Sequence, residues 1–197
     1  MIFKLIVLSV YFSILLGIGY FSSRRVTNIT DYYVGGKKLG YWIAALSARS
    51  TGESGWLLIG VTGMGALMGF SALWIVVGEV LGVWISWQFM AKKFKHMTDE
   101  YNSITIPDFL VSHFKSTTHL IRIVSATALS LFVVIYVSAQ IDITGKTFES
   151  FLGFNYYSGI TIGFGIVVLY IFSGGFLAVA WSDFFQGSLM FVGLLLL

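Results

Sequence analysis

Apolar runs long enough to cross a bilayer are the feature that most constrains this sequence. The 197 residues are 57% hydrophobic and 11% charged, whereas a water-soluble domain carries about 25% charged residues. A helix that crosses roughly 30 Å of hydrocarbon needs about 20 mostly apolar residues. Six stretches meet or approach that length: Ile2–Phe21, Leu39–Phe70, Ala72–Phe89, Leu120–Gln140, Tyr156–Ala180 and Phe184–Leu197. The sequence therefore predicts an all-α integral membrane protein of about six transmembrane helices.

The composition argues against several other classes of protein. Cysteine is absent, so a disulfide framework and cysteine-based metal sites are excluded. The net charge of +3 is small and the basic residues form short clusters, so no nucleic acid partner is expected. No Gly-Lys-Ser/Thr follows a glycine-rich segment, which argues against a nucleotide. His96, His113 and His119 lack metal-ligand spacing. With no nucleophile–base pair either, we expect neither an enzyme nor an organic cofactor.

The first and last apolar runs end differently. Arg24 and Arg25 come directly after the first run in place of a small-residue cleavage site, so that run is predicted to be a retained helix and not a signal peptide. The last run ends in Leu194–Leu197 without a polar residue. Carbonyls left unpaired in hydrocarbon are costly. We therefore expect residues 1–197 to be the N-terminal part of a single transmembrane domain, truncated at the C-terminus.

The distribution of lysine and arginine predicts the orientation in the membrane. Two connections are basic, one with Arg24, Arg25, Lys37 and Lys38 and the other with Lys92, Lys93, Lys95 and Lys115. Because basic loops face the cytoplasm, loops 22–38 and 92–118 are predicted to be cytoplasmic and the N-terminus outside. The connection at Ala180–Asp183 would then also be cytoplasmic, whereas the uncharged turn at Gly69–Ser71 would lie outside.

One short helix is predicted within the second basic loop. In Ile104–Asp108, a turn leads to Pro107, which suits the first turn of a helix, and to Asp108, which suits its positive end. This interpretation is structural and assigns no function to the segment.

The second apolar stretch is predicted to be broken at Ser50–Gly55, where it is polar and contains glycine. A break at membrane depth frees backbone carbonyls, which are ligands for a small hard cation such as Na⁺, and N–H groups, which suit a carboxylate. Ser50, Thr51 and Ser54 add hydroxyl oxygens. The alternative is a glycine-softened kink packed against a neighbouring helix.

Ionisable residues within the spans are functional candidates because they are costly in hydrocarbon. Arg49 and Glu53 are spaced four apart, so they could form a local pair that only allows both charges to enter the membrane. Alternatively, Arg49 neutralises a substrate carboxylate and has Glu53 or Glu79 as its partner in the empty state. Both alternatives stay open, although the local pair is the simpler one.

Two further residues have a structural and a functional interpretation. Asp183 opens the sixth stretch and suits a helix N-cap, but with Gln186 it could also line the path of a cation. Tyr136 lies on an apolar helix, where an aromatic residue more often packs in the core than binds a ligand.

Several motifs together resemble one known family. They are Asp31–Gly40, Ala45–Ala48, Ser54–Leu58, Ile106–Phe109, Phe148–Ser150, Gly174–Val179 and Trp181–Gln186. Their order and spacing are similar to those of the sodium:solute symporter family, and nearest to its bacterial members that carry proline. The resemblance covers essentially the whole chain.

The resemblance implies an inverted-repeat fold of five plus five core helices, of which this chain holds an extra N-terminal helix and the first repeat. It also implies Na⁺ as the coupling ion, bound in part by backbone oxygens of Ser50 and Glu53, with Ser54 beside them and Asp183 linked to coupling. The remaining hydroxyl ligands come from the second repeat in that family. The site is therefore expected to be incomplete, and the isolated chain is expected not to catalyse uptake.

Other positions correspond to the family's substrate cavity and to a cytoplasmic motif. By resemblance, Trp56 and Tyr136 correspond to positions near the substrate cavity, and Lys37 replaces an arginine in the cytoplasmic motif. Arg49, as the possible partner of a substrate carboxylate, and Gly55, in the predicted break, complete the candidate substrate-binding residues. Members that carry proline have an aspartate where this chain has Gly52, and a small residue where it has Arg49. These two departures leave the identity of the solute open.

The function expected from the resemblance is sodium-coupled symport of a small organic solute across the plasma membrane. The solute would be an amino acid such as proline, or a related carboxylate, and the expected partners are this solute, Na⁺ and the lipid bilayer. The alternative is a symporter-like sensory module joined to a signalling domain.

Overall fold

The computed structural model describes residues 2–37, 39–52 and 54–196, and within them it contains helices and no β-strand. The α-helices are α1 (Ile2–Ser23), α2 (Ile29–Val34), α3 (Tyr41–Gly52), α4 (Thr62–Met68), α5 (Leu73–Ile85), α6 (Lys92–Glu100), α7 (Ile106–His113), α8 (Leu120–Leu152) and α9 (Tyr156–Leu196). Four helical stretches are long and apolar enough to cross a membrane: Ile2–Ser23, Ile59–Glu100, Leu120–Leu152 and Tyr156–Leu196. The all-α class predicted from the sequence is confirmed.

The chain divides into two compact units. The first comprises Met1–Ser54 and Val137–Leu197, and the second comprises Gly55–Tyr136. In the first unit, α1, α2 and α3 all pack on α9. Its core is formed by Leu15, Tyr170 and Ala178, which are almost fully buried.

A glycine allows α1 to approach α9 closely. A Cβ atom built on Gly19 would lie 2.7 Å from the Cβ of Tyr170 and 2.9 Å from its Cα. Small residues at such crossings let two backbones meet, as is common between membrane helices. The contact therefore depends on the missing side chain of Gly19.

The connection between α1 and α3 contains a short capped helix. The Oδ1 atom of Asn28 accepts a hydrogen bond from the Asp31 amide at 2.8 Å, which caps the N-terminus of α2. Gly35 ends α2 in the left-handed conformation with φ 61°, which glycine adopts without steric cost. The basic segment that follows α1 is thus partly helical.

The chain reverses direction within α9, at Gly175, where φ is 55° and ψ is −147°. A straight helix of 41 residues would be about 60 Å long, roughly twice the thickness of the hydrocarbon layer. Contacts with α1 follow the reversal. Just before α9 begins, the Phe151 carbonyl accepts a hydrogen bond from Lys4 near the start of α1, and Gly174 then meets Gly19 near its end. Farther along α9, Phe185 stacks on Tyr11, back toward the start of α1. Residues 156–174 and 176–196 therefore run in opposite directions.

This geometry corrects the predicted connection at Ala180–Asp183. These residues are helical, so Asp183 does not cap a helix N-terminus. The sequence interpretation was wrong because Ser182 and Asp183 are the polar residues of the region, and polar residues were assigned to the membrane surface. The turn instead uses two glycines, Gly174 and Gly175, and no charge.

A break after α3 agrees with the interruption predicted at Ser50–Gly55. Helix α3 ends at Gly52, and Ser54 is not helical. The Ser54 amide donates a hydrogen bond to the Gly52 carbonyl at 3.1 Å. Glu53 lies outside the described residues, and so does its predicted pairing with Arg49.

The second unit also contains a glycine turn, in agreement with the turn predicted at Gly69–Ser71. Gly69 has φ 58° and ψ −137° and ends α4. A 3₁₀ turn at Gly69–Ala72 then leads into α5. Helix α5 continues through a π-helical turn at Ser86–Ala91 into α6, so residues 92–100 extend a long helix into the segment predicted as a loop.

The short helix predicted around Pro107 is confirmed as α7. The hydroxyl oxygen of Thr105 accepts a hydrogen bond from the Asp108 amide at 3.2 Å, and Pro107 lies in the first turn. An ion pair of 3.1 Å between Arg122 and Asp108 links α7 to the start of α8. The rings of Phe94 and Phe109, 4.8 Å apart, pack α6 on α7.

Candidate functional site

The candidate site lies in the first unit, where the end of α3 packs on the second segment of α9. The hydroxyl of Ser47 donates a hydrogen bond to Oδ2 of Asp183 at 2.6 Å. The hydroxyl of Ser50 donates to the backbone carbonyl of Asp183 at 3.1 Å. Two hydroxyls of α3 thus converge on one residue of α9.

The local sequence explains why these groups meet. Ser47 and Ser50 are spaced three apart, so they share a face of α3. Asp183 and Gly187 are spaced four apart and share a face of α9. A Cβ atom built on Gly187 would lie 2.7 Å from the Oγ of Ser50, so the glycine makes room for that hydroxyl. The third hydroxyl, of Thr51, donates within its own helix to the Ser47 carbonyl at 2.8 Å.

Asp183 lies between the helices of the first unit. It is partly buried and follows Ser182, which is fully buried. The neighbouring Phe185 stacks on Tyr11, at 6.2 Å between ring centroids, about halfway along α1. The carboxyl group therefore belongs to the interior of the helical bundle and not to its end.

Only some of the residues that were predicted to bind the ion or the substrate lie close together in the structure. Ser50 and Asp183 meet. Ser54 lies in the break that follows α3, and Arg49 is exposed on α3, two residues from Ser47 and on a different side of the helix. Lys37 ends the 3₁₀ turn after α2, with φ 57°.

The other predicted residues belong to the second unit. Gly55 begins the helical stretch after the break, and Trp56 is 54% exposed, with its ring against Gly60. Tyr136 is 48% exposed on α8. Within the described residues, no group of three or more histidine, aspartate or glutamate side chains could hold a metal ion.

Sequence reasoning missed Ser47 and Gly187. A signal was present, because each lies one helical turn from a residue that was selected: Ser47 from Ser50, and Gly187 from Asp183. What was missing was the knowledge that Asp183 lies within a helix and faces α3.

The oxygen atoms of this site suit a hard cation. A carboxylate, two hydroxyls and nearby backbone carbonyls are ligands that hard cations prefer over nitrogen or sulfur. One carboxylate oxygen of Asp183 is engaged by Ser47. The donor set therefore fits an alkali or alkaline-earth ion better than a transition metal.

Comparisons with known proteins identify one family and several similar sequences. The model of the sodium:solute symporter family matches residues 32–197. The high-affinity proline transporter PutP of Bacillus subtilis is 44% identical over 180 residues, which cover 91% of this chain and 38% of that protein. The sodium/proline symporter of Escherichia coli is 38% identical over 193 residues, covering 98% of this chain and 38% of that protein.

A second Bacillus subtilis protein, the osmoregulated proline transporter OpuE, is 38% identical over 193 residues, which cover 98% of this chain and 39% of the relative. The chain thus spans less than two fifths of the length of these curated relatives. No solved structure matches it significantly.

Proposed function

Because the chain belongs to the sodium:solute symporter family, we propose that it forms the N-terminal part of a secondary active symporter that couples Na⁺ to the movement of a small organic solute. The observation that carries the proposal is the contact of Ser47 and Ser50, next to the break after α3, with Asp183 of α9. A broken helix beside a carboxylate within a bundle combines the features from which transporters build ion sites.

The proposed cation uses oxygen ligands on both sides of this contact. Oδ1 of Asp183 is the carboxylate oxygen that Ser47 does not engage, and the Ser50 hydroxyl contacts the backbone carbonyl of the same aspartate. Backbone carbonyls of Ser50 and Glu53, with Ser54 next to them, are assigned to the same ion. The remaining ligands are assigned to a second repeat.

The helices fit the proposed inverted-repeat architecture. Helix α1 is assigned as the extra N-terminal helix. The five core helices of the first repeat are then the broken helix 41–68, the helix 73–100, α8, and the two segments of α9. These residues would form part of a single transmembrane transporter domain.

Proline is the first solute to test, because the relatives named above are proline transporters. Arg49, Gly55, Trp56 and Tyr136 are proposed to contact the solute, with Gly52 in place of an acidic residue as the main reason to test other carboxylates. The alternative of a sensory module finds no support among those relatives, whose names describe transport and not catalysis or signalling.

We assign the protein to the plasma membrane as a multi-pass protein. The N-terminus is proposed to be outside and the segments 22–38 and 92–118 cytoplasmic, on the basis of their lysine and arginine residues. Lys37, at the end of the 3₁₀ turn, is then part of the cytoplasmic surface.

Uptake measurements test the proposal. Bacteria that lack their own proline carriers would express the whole symporter of which this chain is proposed to be the N-terminal part. Uptake of labelled proline, other amino acids, small carboxylates and sugars would be measured with and without Na⁺. We expect Na⁺-dependent uptake of one of these solutes. In Asp183→Asn, the Na⁺ concentration for half-maximal uptake should rise about tenfold, as for loss of one charged ligand.

The matched control is Glu149→Gln, which also removes one carboxylate, on the exposed surface of α8. It should leave the Na⁺ dependence unchanged. Uptake that is indifferent to Na⁺, or an Asp183→Asn variant with the Na⁺ dependence of the wild type, would contradict the proposed role of this site.

A further inference from the structure

Arg25 lies in a small groove at the end of α1. The groove has a volume of about 210 Å³ and is lined by Ile18, Phe21, Ser22, Arg25 and Trp181. All five residues belong to the first unit. One wall of the groove is therefore the last turn of α1, and the other is the indole ring of Trp181 in α9.

The two neighbouring arginines have different surroundings. Arg24 donates a hydrogen bond to the hydroxyl of Tyr20, and its guanidinium lies over the Tyr20 ring, 4.7 Å from the centroid. Arg25 has no comparable arrangement: among the described residues, no side-chain hydrogen bond, ion pair or ring contact engages its guanidinium. Arg25 is thus the arginine left to bind something outside the described chain.

The groove changes from apolar to cationic along the axis of α1. Ile18 and Phe21 belong to the apolar span, and Phe21 is 68% exposed. Ser22 is buried, and Arg25 lies just beyond the last residue of α1. Tryptophan is enriched at the border between hydrocarbon and headgroups, and Trp181 closes the groove at this level. The groove therefore crosses the boundary at which a phospholipid also changes from chain to headgroup.

The chemistry of the groove selects an anionic lipid. A guanidinium binds a phosphate through two parallel hydrogen bonds, and basic pockets between membrane helices bind anionic headgroups. Among the residues that the structure describes, no carboxylate lines the groove, so none of them would repel the net negative charge of such a lipid.

We propose that this groove binds an anionic phospholipid such as phosphatidylglycerol, with its phosphodiester paired to Arg25 and one acyl chain along Ile18 and Phe21. The site is separate from the Ser47–Asp183 contact. The proposal depends on the membrane-spanning character of α1, and it stands or falls independently of the transported solute.

Native mass spectrometry of the chain, released from mixed micelles that contain phosphatidylglycerol and phosphatidylcholine, tests the proposal. The wild type should retain one phosphatidylglycerol in preference to phosphatidylcholine. Arg25→Gln should weaken that first binding event about tenfold. Arg24→Gln, which removes the same charge one residue away, should leave it within about twofold. Equal losses in the two variants would indicate attraction to surface charge alone and would overturn the proposal.

A second measurement avoids dependence on the folding of an arginine variant. In nanodiscs, phosphatidylglycerol with brominated chains should quench the tryptophan fluorescence of the wild type more than brominated phosphatidylcholine at the same mole fraction. Trp181→Phe should abolish most of this difference. A difference that persists in Trp181→Phe would place the lipid elsewhere and contradict the proposal.

Inorganic phosphate distinguishes a lipid site from a general anion site. Added at millimolar concentration, it should not displace the bound phosphatidylglycerol, because it lacks the acyl chain that contacts Ile18 and Phe21. Displacement by phosphate would overturn the assignment to a lipid.

Discussion

Gly175 and Gly69 adopt almost the same backbone conformation in very different surroundings. Gly175 has φ 55° and ψ −147°, and Gly69 has φ 58° and ψ −137°. A Cβ atom on Gly175 would lie 2.6 Å from the backbone carbonyl oxygen of Tyr32, whereas one on Gly69 would meet nothing within 4 Å. Both turns need glycine for its dihedral angles, but only the turn in the first unit also needs it for space.

The comparison separates two reasons for a glycine that the sequence does not distinguish. Any residue with a Cβ atom is strained at these φ and ψ angles, at a cost of about 1–3 kcal/mol. Close packing against backbone adds a further cost, because backbone cannot rotate away as a long side chain can. The loss of stability on replacement by alanine should therefore be greater for a glycine packed against backbone than for one with free space around it.

The largest effect is expected for Gly175→Ala. Backbone strain and the collision with Tyr32 should together destabilise the chain by about 3 kcal/mol or more, measured by thermal or denaturant unfolding in detergent with tryptophan fluorescence. Gly69→Ala, which adds strain without the collision, should cost about 1–2 kcal/mol. Equal losses of stability in these two variants would show that dihedral strain alone accounts for both turns.

The next largest effect is expected for Gly19 of α1, which is compared with Gly17 of the same helix. Gly19→Ala should destabilise the chain by about 2 kcal/mol, because its Cβ would collide with Tyr170 and force α1 away from α9. Gly17→Ala meets nothing within 4 Å and should be neutral or stabilising by about 0.5 kcal/mol. The same unfolding assay applies, and a destabilising Gly17→Ala would contradict the distinction.

Hydroxyls can be compared in the same way. Ser47→Ala removes a hydrogen bond between two helices and should cost about 1 kcal/mol, within the range measured for such bonds in membranes. Thr51→Val removes a bond within one helix and should change the stability by less than about 0.5 kcal/mol. A cost for Thr51→Val equal to that for Ser47→Ala would mean that the contact with Asp183 does not stabilise the fold.

The smallest effect is expected in the second unit. Its Arg122–Asp108 ion pair is partly exposed, with 53% and 35% of the two side chains accessible, so solvent screens it. Arg122→Gln should cost between 0 and about 1 kcal/mol at low salt, and the loss should decrease in about 1 M salt. A loss that is independent of salt would indicate packing of the Arg122 stem and not charge.

Elements that depend on residues close together in the sequence could be predicted from the sequence alone. The apolar runs predicted the membrane helices, Pro107 and Asp108 predicted α7, and the polar glycine-bearing segment predicted the break after α3. The turn at Gly69–Ser71 was predicted because it separates two apolar runs.

The turn at Gly175 was missed for a physical reason. Hydropathy treats a charged residue as a marker of water, but Asp183 lies inside the bundle, where a serine of another helix binds its carboxyl group. Only the long-range contact with Ser47, 136 positions away in the chain, distinguishes an aspartate inside the bundle from one at the membrane surface. The same missing contact explains why Ser50 and Asp183 were selected separately and Ser47 was not selected.

The contact of Tyr32 with Gly175 also has a mechanical consequence. It holds the segment between α1 and α3 against the turn of α9, so any tilt of α3 against α9 would pivot near this turn. Asp183 lies about 12 Å along the helix from that pivot, at 1.5 Å per residue. A tilt of about 5° would then displace the helices at Asp183 by about 1 Å, enough to lengthen the Ser47–Asp183 hydrogen bond of 2.6 Å beyond bonding distance. The length of this hydrogen bond would therefore respond to a tilt of only a few degrees between these two helices.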